Sequence, residues 1–126
     1  MKNEHLITAI ITVTARVAGI ERVEMFHRAK SGGLSKRKRV AYPRSVALVV
    51  IREKLNTSLS ETARVFDMHH TAVLLMVKRV EQSEELTALK QKVLDAWDEI
   101  KRLAGEYESA MERNQETNAQ ETECVH

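Results

Sequence analysis

Two clusters of side chains in this chain are of types and spacings that could do chemistry. Lys36-Arg37-Lys38-Arg39, with Arg44 close behind, puts five cations within nine residues. Such a run either holds a polyanion or is a solvated loop. The second cluster is His69-His70-Thr71-Ala72, followed by Lys78-Arg79. Imidazole and hydroxyl groups can hydrogen-bond a base edge or a phosphate, or an imidazole can bind a metal. Neighbouring helical residues point about 100° apart, and no His, Cys, Asp or Glu stands three or four residues beyond either histidine, so no metal is expected. Phosphate-cradling glycine motifs, a nucleophile elbow and paired carboxylates in an apolar setting are all missing, so the chain reads as a non-enzyme without a cofactor. Cys124, the one cysteine, sits in a polar stretch and reads as an incidental thiol.

The formal net charge of +2 hides a segregation. Residues 1–54 carry 12 Lys/Arg against 4 Asp/Glu, whereas residues 81–126 carry 5 against 12. A basic front suits a polyanionic partner. Aromatic residues are only 4%, with a single proline, which disfavours a β-sandwich and favours a helical bundle. No apolar run approaches the roughly 18 residues of a membrane span, and no signal-peptide pattern opens the chain. A cytoplasmic protein without a membrane partner is expected.

The elements that must position the two clusters follow from periodicity. Leu6, Ile10, Val13 and Val17 share one face of a helix over 5–19, with Gly19 as its stop. A short helix over 21–27 is expected to bury Val23, Met25 and Phe26. Ser31-Gly32-Gly33 breaks the pattern, and the basic run follows as a loop. Pro43 suits a first helical turn, so the central, most buried helix is placed over 45–55. Ser58 and Glu61 fit a capping box. It opens a short helix with Leu59, Ala63 and Phe66 buried. Asp67-Met68-His69 makes a turn, and a helix over 70–81 directs Val73, Leu74, Val77 and Val80 inward. Two short helices joined this tightly form a helix-turn-helix. Leu75 and Met76 are apolar on what that pattern makes the exposed face. Beyond Ser83 the period becomes heptad: Leu86, Val93, Ile100 and Tyr107 alternate with Leu89, Ala96, Leu103 and Ala110. A long amphipathic helix over 84–112 therefore packs on its own domain, pairs with a second copy as a homodimer, or does both. Residues 113–126 are polar and aperiodic, and are expected to be disordered.

In motif order and spacing, Arg39-Val40-Ala41-Tyr42-Pro43-Arg44-Ser45-Val46-Ala47, Leu59-Ser60-Glu61, Phe66, His70-Thr71-Ala72-Val73-Leu74 and Lys78-Arg79-Val80-Glu81 together resemble the C-terminal DNA-binding domain of DnaA, the bacterial replication initiator. The resemblance covers about residues 10–103 and includes Ile10, Ala15, Ile20 and Met25. It implies an all-α, Trp-repressor-like fold over 1–83 that reads double-stranded DNA. His70 and Thr71 match the family's base-reading pair, with His69 and Ala72 beside them. Lys36 or Arg37 stands where the family sends a cation into the minor groove. Lys38, Arg39, Arg44, Lys78 and Arg79 stand where phosphates are held. Three residues separate Phe66 from His70 where the family has four, so the acidic base contact is lost and DnaA's own box is not the expected target. A stand-alone regulator of transcription or replication, of bacterial, phage or mobile-element origin, is the reading. The alternative is a protein-interaction module on the same fold, using the apolar face of the recognition helix and the heptad seam.

Overall fold

Helix α1 (Glu4–Ala18) forms from a segment rich in β-branched residues. Their weak intrinsic propensity is overcome by burial, since Ile7, Ile10, Ile11 and Val13 are all in the core. Its threonines satisfy themselves locally: Thr8, Thr12 and Thr14 donate to the carbonyls of Glu4, Thr8 and Ile10, four residues back. Thr14 can therefore be fully buried. Gly19 (φ 76°) ends the helix in the left-handed region. Its N–H reaches the Arg16 carbonyl and that of Ile20 reaches Ala15, a Schellman pair. The computed structural model describes residues 3–26 and 37–124, with side chains up to residue 112.

A 3-10 turn over Arg22–Phe26 follows. Met25 is fully buried, but Val23 is 73% and Phe26 40% exposed. At three residues per turn Val23 and Phe26 stack on one side and Met25 lies on another, so the three cannot share a buried face as the sequence suggested.

Helix α2 (Lys38–Leu55) starts well before Pro43. Its N-terminal part, expected as loop, is helical because Val40 and Ala41 are buried. Pro43 sits in the second turn and withholds the donor that the Arg39 carbonyl would accept. From Val46 to Ile51 every residue is buried, which makes α2 the central helix that the sequence suggested. Asn56 (φ 53°) closes it. Helices α3 (Leu59–Val65) and α4 (His70–Gln82) pack on each other and on α2.

The expected single helix over 84–112 is bent into α5 (Glu84–Asp95) and α6 (Trp97–Cys124). At Ala96 the backbone tightens, its N–H reaching only three residues back to Val93. Helix α5 lies on α2, helped by Lys90–Glu53 (2.6 Å), and Lys54 of α2 stands 5.1 Å from the centre of the ring of Trp97, the first residue of α6. Helix α6 lies along α1, where Arg16 pairs with Glu99 and the Tyr107 hydroxyl is 3.4 Å from that of Thr12. Leu86, Val93 and Ile100 of the seam are fully buried. The seam from Leu86 to Ile100 is thus covered by the chain's own α1 and α2, while Leu103 and Tyr107 are half-covered and Ala110 is exposed. Helix α6 runs on to Cys124 across residues expected to be disordered. No Gly or Pro occurs between 106 and 124, and Glu, Gln and Ala favour helix.

Among the described residues the architecture is all-α, six helices and the 3-10 turn. None of those helices is long and apolar enough to cross a membrane.

Candidate nucleic-acid interface

The α3–α4 pair is built from its caps. Ser58 Oγ accepts from the Glu61 N–H (3.1 Å) and donates to the Glu61 carboxylate (3.2 Å), a variant of the box in which the acid meets the hydroxyl. Thr62, fully buried, donates to the Ser58 carbonyl and meets Thr57 at 2.7 Å, which holds the start of α3 against the end of α2. At the other end of α3, Asp67 (φ 51°) takes the left-handed conformation. The Met68 N–H reaches Ala63 and that of Asp67 reaches Arg64. This reversal does in three residues what a glycine-bearing turn does in four, and a short polar residue tolerates the conformation.

His69 is the N-cap of α4, a role the sequence did not suggest. Its Nδ1 accepts from the Thr71 N–H at 3.3 Å and lies 2.7 Å from the Thr71 hydroxyl. An Nδ1 that accepts leaves the ring proton on Nε2, so His69 offers a donor. With its hydroxyl engaged by His69, Thr71 keeps its methyl uncommitted. The His69 and His70 rings stack 4.3 Å apart. His69, His70 and Thr71 are exposed and Ala72 is half-buried. The helix N-terminus beneath them favours a phosphate.

Along α4, Val73 and Val80 are buried and Met76 and Val77 are half-buried against the core. Leu74, expected inward, is 44% exposed, and Leu75 is 65% exposed. At 100° per residue, the direction opposite Val73 and Val80 falls between Leu75 and Lys78, and Leu74 lies nearly a right angle from Val73. Lys78 and Arg79 are exposed, as a phosphate-binding role needs.

The basic run divides. Lys36 lies outside the described residues. Arg37, exposed, is the N-cap of α2. Lys38 is exposed, 6.0 Å from the centre of the Tyr42 ring, and Arg39 is exposed and paired with Glu24 at 3.0 Å. Arg44 is different: it is 2% exposed. Its Nε donates to the Met25 carbonyl at 2.8 Å, and its guanidinium stands 5.9 Å from the centre of the Phe66 ring. The expected phosphate contact is therefore a structural arginine. Its burial could have been suspected, since it is the one charge in the run Val40–Ile51 of a helix buried on all sides.

That arginine ties the two clusters together. Phe66, four residues before His70, stacks on Phe26 (ring centres 4.8 Å) and meets Arg44, about two helical turns after Arg37. The turn between α3 and α4 and the N-terminal part of α2 thus share one packed knot, a link the sequence did not reveal.

Among the described residues no group of three His, Cys, Asp or Glu side chains is placed to hold a metal ion. No protein-family model, curated protein or solved structure matches the chain.

Proposed function

We propose that this protein binds double-stranded DNA through the N-terminal turns of α4, as a stand-alone regulator of transcription or replication rather than as an enzyme. The observation that carries this reading is the composition of that surface. From Met68 to Val80 there is no Asp or Glu, in a chain with 18 of them. The exposed groups there are His69, His70, Thr71, Leu74, Leu75, Lys78 and Arg79. Arg37, Lys38 and Arg39 lie at the start of the helix that the Phe66–Arg44 knot links to the turn. The DnaA-like motif order points the same way. Phosphate contacts from the cations would set affinity and register, while His70, Thr71 and neighbouring side chains would discriminate bases.

Selection from a pool of random duplexes tests the reading. The wild type is expected to return a defined sequence preference. Thr71→Ala should relax it at one position, at a cost of about 1–3 kcal/mol there, with non-specific affinity unchanged. Recovery of no preferred sequence by the wild type would sink it. A protein-interaction module on the same fold is favoured only by the exposure of Leu74 and Leu75, since the heptad seam is already covered up to Ile100.

A further inference from the structure

Leu75 and Leu74 contribute little to the core. Both are exposed, on the helix whose other long apolar side chains are drawn into the core. Leu75 follows Thr71 by one turn along the outward line of α4, about 6 Å farther along its axis. Two cations, Lys78 and Arg79, lie beyond the pair and the polar groups of His70 and Thr71 before it, and no carboxylate occurs from Met68 to Val80 in the sequence. An apolar spot between exposed cations and polar groups fits a partner that is anionic at its edges and apolar at its centre. The major groove of a duplex has that character where thymine presents its C5-methyl between two phosphate backbones.

We infer that Leu75, flanked by Leu74, reads the C5-methyl of a thymine lying one or two base pairs beyond the base met by Thr71. This rests on the duplex-binding reading above and adds a base identity to it. Two contacts about 6 Å apart along the helix correspond to one or two base-pair steps of roughly 3.4 Å. Thr71 and Leu75 would therefore address different bases. Leucine offers no hydrogen bond, so the discrimination is of thymine from uracil and from cytosine, by the methyl group.

The test uses the full chain and the duplex recovered from the random pool, with each thymine replaced in turn by deoxyuridine, which removes only the methyl. For the wild type, one replacement should weaken binding roughly fourfold, the factor that burying one methyl group supplies. Leu75→Ala should bind the thymine duplex more weakly by a similar factor and be indifferent to uracil at that position. Leu75→Met, which keeps an apolar reach, should restore part of the preference. Thermal melting of each variant should match the wild type, because the side chain is exposed. A wild type indifferent to uracil at every position, a recovered site without thymine, or a methyl preference that survives in Leu75→Ala would each overturn the inference while leaving duplex binding intact. Absence of any duplex binding would instead overturn the reading beneath it, and this inference with it.

Discussion

Helices α4 and α6 carry similar amounts of apolar side chain but use it in opposite ways. The seam of α6 has the period of a self-associating helix, yet Ile100 and Ala104 are buried by the chain's own α1 and Tyr107 is half-covered. On α4 the apolar pattern suggests an inward Leu74, yet Leu74 and Leu75 face out and only Val73 and Val80 are fully buried. Periodicity reports which residues share a face. It does not report whether another part of the same chain covers that face. Coverage depends on contacts distant in sequence, such as Arg16–Glu99 and Thr12–Tyr107.

The difference can be broken from both sides, and the largest effect belongs to the covered face. Ile100→Ala should cost about 2–5 kcal/mol, because it opens a cavity between α1 and α6; urea unfolding measures it. A loss within about 0.5 kcal/mol would mean that α6 does not pack there in solution. Arg44→Ala comes next, at about 2 kcal/mol, from the hydrogen bond to Met25 and the packing on Phe66. Its duplex affinity should keep an unchanged dependence on salt among the molecules that remain folded. Arg37→Ala, at an exposed side chain, should flatten the salt dependence of duplex binding by about one contact. Gly19→Ala is smaller, about 1 kcal/mol, since the added Cβ meets open space and only the positive φ is strained. Smallest of all, Leu75→Ala should leave stability within about 0.5 kcal/mol of the wild type.

Much of the fold was legible before any coordinates. The stop at Gly19, the buried run from Val46 to Ile51, the Ser58 cap and the helix from His70 all follow from local chemistry, and local chemistry is present in the sequence. The start of α2 was not legible, because Pro43 looks like a first-turn proline and the burial of Val40 and Ala41 that carries the helix past it is tertiary. The bend at Ala96 has no local marker such as Gly or Pro. In the candidate site, His70, Thr71, Lys78 and Arg79 are exposed, as the proposed contacts require. Arg44 is not: its nearness to the basic run suggests a phosphate contact, whereas its place as the one charge in Val40–Ile51 was the sign of burial. The cap made by His69 was missed because imidazole is an uncommon acceptor at that position, where hydroxyls, carboxylates and amides dominate.

The central claim is that the stretch from His69 to Val80, which holds no Asp or Glu, together with the cations at the start of α2, holds a duplex by its phosphates. Titrating a fluorescent duplex with the full chain from low to moderate salt tests this most directly. With Arg37, Lys38, Arg39, Lys78 and Arg79 as the contacting cations, log K should fall against log salt with a slope of about −4.5, and Lys78→Ala should bring it to about −3.6. A slope near zero, or one that neither Arg37→Ala nor Lys78→Ala alters, would contradict the account.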